Sequence, residues 1–126
     1  MPPLWGGGST IWVHVGQCGN QIAASLWPAL QKERADDHFR AGHGLARAVC
    51  VDSEPKVIDS LRRTAPVDPF YCVTQQSGCG SNWAQGYGTP ALAAAALERV
   101  RQQANFVSAL RALVVVHSAA GGTGGG

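Results

Sequence analysis

Val114-Val115-Val116-His117-Ser118-Ala119-Ala120-Gly121-Gly122-Thr123-Gly124-Gly125-Gly126 decides the fold of this chain. A β-branched run feeds straight into a glycine-rich loop. A strand ending in such a loop presents backbone N–H groups with no side chains in the way, a geometry that cradles phosphate oxygens. No Lys-Ser/Thr pair follows the glycines, so this is not a Walker A loop. A phosphate held here would rest on backbone amides, the hydroxyls of Ser118 and Thr123, and a helix N-terminus. The sequence ends inside this loop, so the chain is expected to be the front part of its own site.

The same arrangement occurs upstream. Ile11-Trp12-Val13-His14-Val15 reads as a buried strand, Gly16-Gln17-Cys18-Gly19-Asn20-Gln21 follows at once, and Ile22 to Trp27 has helical apolar spacing. This strand, turn and helix either aim a helix N-terminus at an anion or make only a tight turn. The glycines read G-x-x-G, not the dinucleotide G-x-G-x-x-G. Pro28 costs about 3 kcal/mol inside a helix, so the first helix is expected to kink or end near Trp27. Residues 31–44 hold Asp36, Asp37, His38 and His43 without recurring ligand spacing, and read as a solvated loop rather than a metal site.

Ala46 to Val51 reads as a second strand, ending in Asp52-Ser53-Glu54-Pro55. Two carboxylates one residue apart point the same way in extended chain. Near phosphates they suit Mg²⁺, held directly or through water. Asp52 or Ser53 could also cap the helix that Pro55 opens and Val57, Ile58 and Leu61 line. Phe70 to Thr74 reads as a third strand, before a loop of small residues over 75–83. Thr89 caps a helix with Pro90 at its first position, and Leu92, Ala96, Val100 and Gln103 lie on one stripe. Leu113 to Val116 is the fourth strand.

Strand, loop and helix repeated three times before a fourth strand means a Rossmann-like α/β fold with a parallel sheet, here incomplete. In such a sheet the loops after the strands share one edge, where ligands bind. The first and fourth strands would flank the switch point, bringing the loops at Gly16 and Gly121 together.

Composition narrows the classes. The 126 residues make at most one domain, with 45% hydrophobic and only 14% charged residues. A formal net charge of +2 with scattered arginines argues against a nucleic-acid partner. No apolar run reaches the roughly 20 residues of a membrane span. The four cysteines, Cys18, Cys50, Cys72 and Cys79, form no C-x-x-C pair and read as reduced thiols of a cytoplasmic protein. Residues 1–10, rich in Pro and Gly, read as a disordered leader ahead of a domain over 11–126.

Four stretches then resemble one family. Val15-Gly16-Gln17-Cys18-Gly19-Asn20-Gln21-Ile22 resembles the first nucleotide loop of tubulins. Ala46-Arg47-Ala48-Val49 through Val51-Asp52-Ser53-Glu54-Pro55 resembles their second strand and acidic loop. Gln76-Ser77-Gly78-Cys79-Gly80-Ser81-Asn82-Trp83-Ala84 resembles the third loop, and His117-Ser118 with Gly121-Gly122-Thr123-Gly124 the signature loop. Ala46-Arg47-Ala48-Val49, Glu54-Pro55-Lys56-Val57-Ile58, Asn82-Trp83-Ala84 with Gly86-Tyr87, and Ala120 before Gly121-Gly122 are most similar to the delta-tubulin branch, with gamma-tubulin next.

The resemblance implies GTP and Mg²⁺. It implies that Gln17 and Cys18 contact the phosphate and base side, that Gly80, Ser81 and Asn82 close on the terminal phosphate, and that Ser118, Gly122, Thr123 and Gly124 bind the phosphates. Glu54 would serve Mg²⁺ with Asp52 in support. Other tubulin subunits or a microtubule would be the partners, and the cytoskeleton, with the centriole, basal body or cilium for a delta-like chain, the location. Ser81, Ala120 and Gly125 depart from the commonest family pattern, and the loops for ribose and guanine and the hydrolysis-activating acidic loop lie beyond this span. GTP turnover is therefore not expected of this span alone. The alternatives are a non-functional tubulin-derived fragment and an NAD-dependent oxidoreductase domain in which Asp52 holds a ribose.

Overall fold

The structure, a computed structural model, describes residues 9–40, 44–74 and 90–119. Gly80, Ser81, Asn82, Gly122, Thr123, Gly124 and nearly all of the expected leader lie outside the described residues.

Strand β1 spans Ser9–Val15 and passes without a linker into helix α1, Gly16–Lys32. A 3₁₀ turn at Asp36–His38 precedes β2, Ala48–Asp52, and α2, Pro55–Thr64. A second 3₁₀ turn at Pro69–Tyr71 leads into β3, Cys72–Thr74. Helix α3, Pro90–Ala104, and β4, Leu110–Val116, complete the described chain. The four strands form one sheet in the order β3-β2-β1-β4. Every pairing is parallel, so the α/β class and the neighbouring first and fourth strands are as expected.

Strand alternation sorts side chains to two faces. Ala48, Cys50 and Cys72 face α1 and α2, packing with Ala23, Trp27, Ile58 and Leu61. Val13, Val49, Val51 and Val73 face α3, packing with Leu92, Ala96 and Val100. The predicted α3 stripe is thus the buried face of that helix. Gln103 ends it, fully buried and donating from Nε2 to the Ala48 carbonyl at 3.2 Å. On β4, Leu110, Leu113 and Val115 remain about half exposed, and β4 is an edge strand among the described residues.

Several boundaries differ from the sequence reading. Ser9 and Thr10 belong to β1 rather than to a leader; Thr10 is buried, and Arg111 donates to its hydroxyl at 2.9 Å. The third strand is shorter because Asp68 Oδ1 accepts from the Phe70 N–H at 2.9 Å, which holds Phe70 and Tyr71 in the 3₁₀ turn. Ala46 is not in β2 but makes an isolated antiparallel bridge to Phe39.

The largest difference is at Pro28, which neither ends nor breaks α1. Trp27 beside it is fully buried and meets Phe39 edge-on at 5.3 Å, with Trp12 at 6.1 Å. Leu30, on the far side of Pro28, packs against the same core. Full burial of Trp27 and partial burial of Leu30 offset the roughly 3 kcal/mol cost of the proline. Pro28→Ala should therefore raise stability by about 1 kcal/mol or more, read as a higher urea midpoint. A lower midpoint would mean that the core is fitted to the proline.

Arginines that composition left scattered have structural partners at the sheet's N-terminal edge. Arg40 pairs with Asp68 at 3.2 Å and lies over the Phe106 ring at 4.0 Å. Arg47 donates to the Phe106 carbonyl at 3.0 Å. They pin loops together and do not form a continuous basic stripe.

Candidate nucleotide-binding edge

Parallel register sets the strand ends beside one another: His14 with Val116, Val15 with Val51, and Asp52 with Thr74. The segments that follow them therefore leave one edge of the sheet.

The turn from β1 into α1 rests on Gly16, whose φ of 75° is a left-handed value that favours glycine. Val15 at the N-cap makes no side-chain cap bond, and the first turn carries no acidic residue. The orphan N–H groups of a 17-residue helix thus begin at this edge with their partial positive charge uncompensated by side chains. Gln17 and Cys18 are exposed on that first turn. Cys18 also lines a shallow surface groove with Gln21, Ile22, Ser25 and Leu26.

Gly19 and Asn20 point inward and are buried. A Cβ at Gly19 would collide with the carbonyl oxygen of Val116, the last residue of β4. The first loop and the start of the last loop are therefore in contact through backbone. Asn20 bridges the first loop to the second: its Nδ2 donates to the Gly16 carbonyl at 2.8 Å and to the Val51 carbonyl at 3.0 Å. Reading the glycines alone did not single out Asn20. A buried amide directly after G-x-x-G was the available signal, since buried amides seek backbone partners.

His14 is a second residue that pattern reading took only as part of a strand. It is fully buried. Trp27 Nε1–H donates to its Nε2 at 3.0 Å, so the ring proton sits on Nδ1, which donates to the Gly19 carbonyl at 3.0 Å. Burial lowers its pKa to about 4, against the opposing pull of the Gly19 bond. A neutral imidazole thus ties the core tryptophan to the glycine that meets β4.

The acidic loop departs from two matched, outward carboxylates. Asp52 is 3% exposed, with Oδ1 accepting from the Glu54 N–H at 3.0 Å, while Glu54 is exposed at the N-cap of α2. Neither Asp52 nor Ser53 occupies the cap position. Burial pushes the Asp52 carboxyl upward, the Glu54 N–H pulls it down, and the Glu54 charge adds to the upward push. Asp52 Oδ2 is buried without a hydrogen-bond partner. An unsatisfied buried carboxylate oxygen beside an exposed carboxylate suits a cation. Among the described residues no group of three His, Cys, Asp or Glu could hold a metal ion. Mg²⁺ needs no such cage, because it keeps waters and takes one or two carboxylates plus phosphates.

At the end of β4, His117 Nδ1 lies 2.9 Å from the Ser118 carbonyl, and Ser118 is half-buried. His38, expected in a solvated loop, instead accepts from Trp12 Nε1–H at 3.0 Å, while Asp36 and Asp37 stay exposed. No described helix is long and apolar enough to cross a membrane.

The Tubulin/FtsZ family, GTPase domain, matches residues 9–126. The chain is similar to the tubulin beta-1 chain of Homo sapiens, 36% identical over 90% of this chain and 31% of that one. It is equally similar to the tubulin beta chain of Porphyra purpurea, and 34% identical to the tubulin beta-1 chain of Mus musculus. It spans about a third of the length of these relatives, since it covers 31% of each.

Proposed function

The chain belongs to the Tubulin/FtsZ family, GTPase domain, and from that premise we propose that its sheet edge is the phosphate and Mg²⁺ side of a guanine-nucleotide site in a cytoskeletal tubulin. The observation that carries this reading is the meeting of α1 with the end of β4, where Gly19 lies against the Val116 carbonyl. That contact sets an uncapped helix N-terminus beside the segment running into the glycine-rich loop.

On this reading, Gln17 and Cys18 contact nucleotide from the exposed first turn of α1. Ser118, Gly122, Thr123 and Gly124 hold phosphate oxygens, and Gly80, Ser81 and Asn82 close on the terminal phosphate. Glu54 reaches Mg²⁺, directly or through water, and the unpaired Asp52 oxygen supports it. Mg²⁺, when bound, would neutralise phosphate charge. The chain's own contribution is to fix positions: Asn20 holds the first loop to β2, and His14 holds Gly19 to the core.

The dinucleotide alternative loses its main residue. Asp52 is turned onto the Glu54 N–H and buried, not directed outward to a ribose. The delta-like assignment, with a place at the centriole, basal body or cilium and tubulin subunits as partners, rests on Ala46 to Val49, Glu54 to Ile58, Asn82 to Ala84 with Gly86-Tyr87, and Ala120. Hydrolysis is not proposed for this span: among the described residues none is placed to activate water.

Calorimetric titration of the 126-residue chain with GTP, GDP and NADH, with and without Mg²⁺, tests the site. The expected result is weak GTP binding, above the micromolar range in Kd and strengthened by Mg²⁺, with NADH weaker still. Glu54→Gln should remove most of the Mg²⁺ enhancement. Sub-micromolar GTP binding would show that the span is self-sufficient. No binding of any nucleotide, or NADH bound more tightly than GTP, would overturn the proposed site.

A further inference from the structure

We propose that Cys50 and Cys72 form a reversible dithiol–disulfide site, oxidised by hydroperoxides, between β2 and β3. The two residues are direct partners in the parallel ladder. Both lie on the α1–α2 face, Cys50 buried in its core and Cys72 half-buried against it, and both are free thiols. Directly paired residues on neighbouring strands are about 4.8 Å apart. Disulfides span Cα separations of about 4.4–6.8 Å, so the bond needs no large backbone movement.

The two thiols sit in different surroundings. The Cys72 thiol donates to the Asp68 carbonyl at 3.5 Å, while Cys50 is enclosed in the core. Cys72 is also the more accessible of the two. It is therefore the attacking thiolate and Cys50 the resolving thiol.

The chemistry balances in two steps. The Cys72 thiolate attacks one peroxide oxygen, the O–O bond breaks, and hydroxide (or alkoxide) leaves, giving Cys72 sulfenic acid. The Cys50 sulfur then attacks the Cys72 sulfur; the S–S bond forms, the S–OH bond breaks, and the hydroxyl leaves as water with the Cys50 proton. The two thiols lose two electrons and the peroxide gains them. A thiol reductant reverses the outcome by exchange.

The position gives the bond a consequence. Cys50 and Cys72 each lie two residues before the ladder pair Asp52 and Thr74, where both strands reach the candidate site. β3 is a three-residue strand at the outer end of the described sheet. A covalent bond would clamp that short strand to β2 and fix the spacing of Asp52 and Thr74 at the strand ends.

The test treats the full native chain, carrying Cys18→Ser and Cys79→Ser, with hydrogen peroxide, blocks remaining thiols, and maps proteolytic peptides by mass. The expected product is one Cys50–Cys72 linked peptide pair, lighter by two hydrogen atoms, formed without denaturant and lost on treatment with dithiothreitol. Cys50→Ala should stop the reaction at a Cys72 sulfenic acid trapped by dimedone, and Cys72→Ala should leave Cys50 unoxidised. The proposal fails if the link forms only in denaturant, if Cys72 accumulates as sulfinic acid beside a free Cys50, or if Cys50 reacts first. In the chain with all four cysteines, a Cys72 link to Cys18 or Cys79 in preference to Cys50 would overturn it equally.

Discussion

Gly19→Ala is expected to destabilise the fold by about 3 kcal/mol and to lower the melting midpoint by roughly 10 °C. The added methyl would meet the Val116 carbonyl oxygen at clashing distance, with the His14 carbonyl carbon at 3.2 Å and the Val116 carbonyl carbon at 3.3 Å. All three are backbone atoms held in the β1–β4 ladder, so no flexible side chain can yield. Relief requires α1 to back away from the sheet, which strains the 3.0 Å bond from His14 to the Gly19 carbonyl. It also separates the first loop from the end of β4, so nucleotide binding should fall together with stability. Gly44→Ala is the control. Its φ of +65° disfavours a side chain, but a Cβ there has nothing within 4 Å. It should cost only about 1–2 kcal/mol of backbone strain and leave binding unchanged. Thermal melts of both variants, with GTP titrations beside them, check the comparison. A Gly19→Ala midpoint equal to that of the parent would remove the tight contact from the account of the site.

What was legible in the sequence is what local pattern encodes. The β-branched run Val114-Val115-Val116, the valines of β2 and the apolar stripe of α3 each announce their element. Parallel order follows from their alternation with helices. The elements that misled are those decided by partners distant in sequence. Pro28 reads as a break, but Trp27 and Leu30 hold the helix through it from the core. Phe70 and Tyr71 read as strand, yet a single Asp68 carboxylate turns them into a 3₁₀ turn. Asp52 and Glu54 read as a matched pair until the Glu54 N–H captures one of them. The partners of Asn20 and His14 lay beyond local pattern. Asn20 spans 31 residues to reach Val51, and His14 spans 13 to reach Trp27. The four loop motifs pointed to the tubulin family, which the match over residues 9–126 shows. Branch within the family rests on a few loop residues that a likeness to beta chains does not separate.

Stability should fall by about 3 kcal/mol as the pH is lowered from about 6.5 to about 4, and His14 is the main cause. Its pKa is about 4 in the folded chain against 6.5 for an ordinary histidine. Between those values the unfolded chain binds a proton that the folded chain refuses. The unfolded state then holds more protons, so unfolding free energy rises with pH across this window. The stabilising contribution is complete above about 6.5 and lost progressively toward 4. His38 acts in the same direction, lowered by burial and by the Arg111 charge, with Asp37 opposing. Asp52 acts in the other direction, because its raised folded pKa favours the folded chain most below 3.8 and loses that advantage as pH rises. It therefore works against the histidine slope. His14→Gln separates the histidine from the rest. A glutamine amide can donate toward the Gly19 carbonyl and accept from Trp27 Nε1–H, but it does not titrate. Urea unfolding of parent and variant at several pH values between about 4 and 7 should show most of the parent's slope missing from the variant. Equal slopes would mean that the ring takes a proton in the folded core. Trp27 Nε1–H would then have lost its acceptor, and with it the link that carries core packing into the first loop.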